Sequence, residues 1–126
     1  MNENLAITFK RGDIVTVDFG KNMGREKSGI RPAIVVSSDQ INRSSENITV
    51  IPVTKYGNKV QNEKVKLLVT HFILARGYYK QLGHTSIAQA EDIRSISKVR
   101  VVGSLGKLSF TSIKQLNACL LESMGM

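Results

Sequence analysis

Short runs of β-branched and apolar residues, punctuated by turn formers and ended by one helical stretch, constrain this chain more than any other feature. The first run is residues 14–19, Ile-Val-Thr-Val-Asp-Phe, which opens after the turn pair Gly12-Asp13. The second, residues 33–38, is almost wholly apolar and reads as a central strand buried on both faces. The third, residues 48–53, contains Pro52, which cannot donate a ladder hydrogen bond and is therefore expected at a strand end or an edge. Residues 65–69 read as a fourth strand, and residues 86–94 as a fifth of weaker pattern. Residues 39–47 read as a polar turn and 55–63 as an exposed loop. Residues 71–83 suit a loop with one helical turn, and residues 98–102 suit either strand or short helix. Ser109 is placed to cap a final helix, in which Ile113, Leu116, Leu120 and Met124 recur at spacings of three and four until Gly125.

Five strands followed by one helix, with short links, predict a mainly β chain of the α+β class. The expected form is a bent antiparallel sheet or small barrel closed on one side by the helix. The 126 residues, 41% of them hydrophobic, suit one domain over positions 1–126 with a core that stands without metal or disulfide staples. A single cysteine, Cys119, rules out an intramolecular disulfide and suits a reducing cytoplasm. The start of the sequence has no secretory pattern, and no window reaches the ~18 consecutive apolar residues of a membrane-spanning helix.

Eighteen Lys and Arg against ten Asp and Glu give a formal charge of +8, a field that attracts polyanions. The basic residues are dispersed, so no tail or membrane-surface helix stands out. Residues 24–29 have the glycine spacing of a phosphate-binding loop, but Ile30-Arg31 stands where Lys-Ser/Thr is required. Arg11-Gly12-Asp13 opens a strand and is read as a chance match to an adhesion tripeptide. His71 and His84 lack partners at metal-ligand spacing, so no metal or cofactor is expected. As a pair they suit two surface histidines better than an acid–base couple.

Arg31 lies just before the second strand and Thr54 just after the third. If those strands pair antiparallel, the start of one lies beside the end of the other, and Arg31 and Thr54 meet at one rim. RNA carries its own nucleophile, the 2′-hydroxyl. Its attack on phosphorus builds charge on the non-bridging oxygens, which a two-pronged guanidinium and a nearby hydroxyl are suited to hold. Taken alone, these residues mark a basic β-rich domain with an anion site.

Several blocks, in order, resemble the MazF/PemK toxin family. They are Arg11-Gly12-Asp13-Ile14-Val15, the Gly-x-x-x-x-Gly-x-Arg-Pro run at residues 24–36, Pro52-Val53-Thr54, and Ser86 with Glu91-Asp92-Ile93-Arg94. The resemblance spans about residues 10–121 and implies an SH3-like β-barrel with helices. It also implies a sequence-selective, metal-independent endoribonuclease that cuts single-stranded mRNA to a 2′,3′-cyclic phosphate and a 5′-hydroxyl. Arg31 and Thr54 fall on the family's catalytic pair. Arg25, Lys27, Ser28, Pro32, Lys55, Ser86, Asp92 and Arg94 fall where RNA contact is expected. The resemblance further implies a cytoplasmic homodimer held in check by an acidic, MazE-like antitoxin, with no membrane role. Asp92 departs from the family's glutamine and adds negative charge. Two alternatives share this frame: a non-enzymatic, CcdB-like toxin that binds a protein such as gyrase, and a plain RNA-binding SH3-like module.

Overall fold

The computed structural model describes residues 8–21, 28–56 and 70–126. The fourth strand expected at residues 65–69 lies outside them. Strands β1 (Asp13–Asp18), β2 (Ile30–Val35) and β3 (Asn47–Lys55) are followed by β4 (His71–Leu74), β5 (Ser86–Gln89), β6 (Arg94–Ser97) and β7 (Val101–Lys107). A short helix α1 (Asp39–Ser44) joins β2 to β3, and the long helix α2 (Phe110–Ser123) ends the chain. All strand pairings are antiparallel, in the order β4-β5-β3-β2-β1-β7, with β6 also on β3.

β6 lies on β3 and β7 on β1, yet only the 3₁₀ turn Lys98–Arg100 separates them. So short a link curls β6-β3-β2-β1-β7 into the expected barrel-like sheet. Inside the curl Val15, Val17, Phe19, Ala33, Val35, Ile48, Val50 and Ile96 form one core. On the other face Ile14, Ile34, Ile51 and Val53 pack with β4 and with Leu116 and Cys119 of α2 in a second core. Gly12 permits the close approach of α2. Its φ is +95°, and a Cβ there would stand 2.8 Å from Ile113 Cδ1.

The cap of α2 is as expected: the Ser112 N–H donates to Ser109 Oγ at 3.1 Å. Four other expectations need correction. Residues 39–47 are not merely a turn. Ser38 Oγ accepts from the Ile41 N–H at 3.2 Å and caps α1. Residues 71–83 hold β4 as well as a 3₁₀ turn, Lys80–Leu82. Residues 86–94 are not one strand, because the 3₁₀ turn Ala90–Asp92 splits β5 from β6. Pro52 is neither at an end nor at an edge; it is buried within β3.

The last two corrections share a cause. Backbone groups of alternate residues point to opposite edges of a strand. The Thr49 carbonyl of β3 accepts from Val36 beyond β2, whereas the Glu46 carbonyl accepts from Lys98 and the Tyr56 N–H donates to Thr85. Even-numbered residues thus face β6 and β5, and Pro52 meets the gap between these strands. The turn Ala90–Asp92 fills that gap, so the missing N–H interrupts no ladder bond.

Candidate active site

β2 begins at Ile30, three residues earlier than its apolar run suggests, because Ile30, Arg31 and Pro32 pair with Asp18, Val17 and Thr16 of β1. β3 likewise runs on to Lys55. Arg31 and Thr54 are therefore inside strands rather than beside them. The register runs Val35↔Val50, Ile34↔Ile51, Ala33↔Pro52, and the ladder stops before Pro32, which has no N–H to give. Two residues beyond that last pair lie Arg31 and Thr54, at the same end of β2 and β3.

By alternation both belong to the inner face. Arg31 pairs with Val17, and two residues along from Arg31 and Thr54 come Ala33 and Pro52, in the direction of the barrel core. At the rim the apolar lining gives way to Arg31 and Thr54, both half-buried. Among the described residues the Arg31 side chain makes one hydrogen bond, from Nε to the Ser28 carbonyl at 3.1 Å. That bond fixes the plane of the guanidinium and leaves its terminal nitrogens for a ligand. Gly29 shapes this corner. Its φ is +75°, its N–H donates to the Gly20 carbonyl at 2.8 Å, and its carbonyl accepts from the Phe19 N–H at 2.9 Å.

Arg94 belongs to the same face, since it pairs with Val50. Its guanidinium carbon stands 5.2 Å from the centre of the Phe19 ring, a stacking that holds a half-buried cation over an aromatic floor. Asp92, in the turn just before, is half-buried. Phe19 escaped the sequence reading; its signal was only an aromatic at the close of a strand.

The other expected RNA contacts are placed differently. Ser28 and Lys55 are exposed, but Lys55 alternates with Thr54 and belongs with the opposite face. Pro32 alternates with Arg31 in the same way and pairs with Thr16. Ser86 is 2% exposed, and its hydroxyl donates to the His84 carbonyl at 3.1 Å, so it secures a turn instead of facing solvent. Arg25 and Lys27 lie outside the described residues.

His71 is not a surface histidine. Its side chain is 6% exposed, with Nε2 3.1 Å from Glu91 Oε2 and 3.2 Å from Gln89 Nε2. Burial pushes the Glu91 carboxyl up, but its own backbone N–H and the Thr70 and His71 side chains outweigh burial and hold it below the usual carboxylate value. This pair ties β4 to the turn that carries Asp92 and leads into Arg94. His84 is exposed.

Residues 10–124 match the family model described as the PemK-like, MazF-like toxin of type II toxin–antitoxin systems. The chain is 30% identical over 117 residues to Endoribonuclease MazF of Staphylococcus saprophyticus, covering 93% of this chain and 92% of that one. It is 35% identical over 116 residues to Endoribonuclease MazF9 of Mycobacterium tuberculosis, covering 88% and 92%. Among solved structures, MazF of Deinococcus radiodurans superposes with a TM-score of 0.74 at 22% identity, covering 95% of this chain and 99% of that one. The same organism's MazE-MazF structure gives 0.70 at 21%, covering 95% and 99%. These last two likenesses bear out the fold expected from the strand pattern.

Proposed function

The chain belongs to the PemK-like, MazF-like toxins of type II toxin–antitoxin systems, and from that membership we propose that it is the toxin endoribonuclease of such a pair, cutting single-stranded mRNA at selected sequences. The observation that supports the reading is the antiparallel β2–β3 register, whose last pair, Ala33↔Pro52, leads toward Arg31 and Thr54 at the same end of the two strands. Relatives named as endoribonucleases favour this over a non-enzymatic toxin or a plain binding module.

In this reading the scissile phosphate sits between the Arg31 terminal nitrogens and the Thr54 hydroxyl. The 2′-oxygen attacks phosphorus and the P–O5′ bond breaks. The 2′-hydroxyl proton is lost to a base, and the 5′-oxygen gains one as it leaves. The products are a 2′,3′-cyclic phosphate and a 5′-hydroxyl, and no outside nucleophile or metal is consumed. Arg31 and Thr54 hold the charge that builds on the non-bridging oxygens, with Arg94 gripping a neighbouring phosphate. Asp92 beside it favours nucleotides that offer a donor.

The antitoxin would offer acidic residues to the same rim, in keeping with the +8 charge. A homodimer is supported by β7, the last strand on its side of the sheet among the described residues. Val99, in the turn before it, and Val102, within it, are 80% and 59% exposed and help line a cavity of about 520 Å³ with Phe9, Val15 and Val101. No helix among the described residues is long and apolar enough to cross a membrane; the proposed setting is the cytoplasm, where mRNA is met.

The test is incubation of the purified protein with a mixed RNA in EDTA, with end-group analysis of the products. Cyclic phosphate and 5′-hydroxyl ends are expected, along with full resistance of a substrate bearing 2′-deoxyribose at the cut. RNA left intact, or a cut deoxy substrate, overturns the reading.

A further inference from the structure

Beyond the rim, the same face of the sheet leads to a second feature. Thr54 pairs with Ile87 of β5, and Ile87 with Ile73 of β4, so the three lie side by side over about 10 Å. Ile73 is 38% exposed and lines a groove of about 720 Å³ together with Tyr78, Tyr79 and Lys107 and the first turns of α2. A smaller hollow of about 360 Å³ is lined by Arg76, Gly77, Lys80 and Gly83. Residues 75–80 form the wall between the two.

That wall is fixed. The Tyr79 hydroxyl donates to Ser112 Oγ at 2.6 Å and accepts from the Ser109 N–H at 3.1 Å, so the segment is pinned to the start of α2. What it presents outward is aromatic and cationic. Tyr78 is 86% exposed, and Arg76, Lys80 and Lys107 are exposed around it, while neither hollow has an Asp or Glu in its lining. Phe110, 73% exposed and carrying Lys114 Nζ 4.8 Å above its ring, repeats the motif on the adjoining turn of α2. An exposed aromatic amid cations, with no acid in the lining of either hollow, has the chemistry of a single-strand platform, with a π-face for a base and point charges for phosphates.

We propose that the groove between residues 73–80 and the start of α2 is a second RNA-binding site. Tyr78 stacks on a base, and Arg76, Lys80 and Lys107 neutralise phosphates of the strand flanking the cut. The inference rests on the endoribonuclease reading. It adds that affinity for long RNA comes partly from binding outside the catalytic rim.

The experiment compares an RNA that the wild-type protein cuts with the shortest oligonucleotide from it that is still cut. For Tyr78→Ala, and separately for the triple variant R76A/K80A/K107A, KM for the long RNA should rise about tenfold. kcat, the melting temperature and all constants for the short substrate should stay unchanged. Tyr78→Phe should retain wild-type behaviour, since it keeps the stacking ring. The slope of log affinity against log salt for the long RNA should shallow by about 2 in the triple variant, ~0.7 for each phosphate left without its cation. Equal responses of long and short substrates, or none, would overturn the site. So would variants that cut both normally but escape an acidic antitoxin, which would assign the groove to a protein partner. A wild-type protein that cuts no RNA would instead remove the endoribonuclease reading, and this site with it.

Discussion

Arg11 and Arg31 stand near the starts of neighbouring strands, yet their surroundings set them to opposite uses. Arg11 is spent. Its N–H donates to Asp39 Oδ1 at 2.8 Å, Nε to the Val36 carbonyl at 2.9 Å and Nη2 to Asn117 Oδ1 at 2.6 Å, which clasps α1, the end of β2 and α2 together. It serves the face of the sheet that α2 seals. Arg31, at the rim of the other face, uses Nε on the Ser28 carbonyl alone among the described residues. A guanidinium engaged through both Nε and a terminal nitrogen is a fastener. One held in plane by a single bond is preorganised for an anion and costs little to reorganise when charge develops.

Substitutions that separate the two faces sharpen or break this contrast. The largest effect is expected from Arg31→Ala, which should slow single-turnover RNA cleavage by about 10²–10³ while leaving the melting temperature unchanged. A matching fall in melting temperature would mean that Arg31 is also a fastener. On the sealed side, Leu116→Ala should cost about 3 kcal/mol in urea unfolding, because a side chain 1% exposed leaves a cavity between α2 and the sheet. Its folded fraction should cut RNA at the wild-type rate.

Arg11→Ala is expected to lower stability by about 2 kcal/mol as its charge-assisted bonds disappear, again with cleavage per folded molecule intact. A cleavage defect without unfolding would contradict the division. The smallest effect concerns Glu91. Its folded carboxyl titrates below the ordinary value, so its contribution is present above the unfolded pKa, near 4.5, and is lost as pH falls through the folded one. The melting-temperature gap between wild type and Glu91→Gln should therefore close as the pH drops through the carboxyl's titration. A gap that widens in acid would reverse the sign.

Much of this division could be read from the sequence where signals are local. The β-branched runs placed β1 to β3, the Ser109 cap and its three-and-four spacing placed α2, and strand direction put Arg31 and Thr54 at the same end of β2 and β3. Reading failed where the deciding partner is distant. His71 is buried by Glu91, twenty residues on, and no local pattern announces that pairing. The break at Ala90–Asp92 exists because β5 and β6 share one edge of β3 on either side of Pro52, which only the assembled sheet reveals. Ser86 fits the family motif yet turns its hydroxyl inward, since motif position says nothing of rotamer.

The most direct test of the account is a double-mutant cycle of Arg31→Ala and Thr54→Val, read as the single-turnover rate of RNA cleavage. Two groups that hold the same developing charge fail together, so the double variant should be barely slower than Arg31→Ala alone. Losses that multiply in full, or a Thr54→Val protein as fast as wild type, would contradict the claim that the two strands join these side chains on one phosphate.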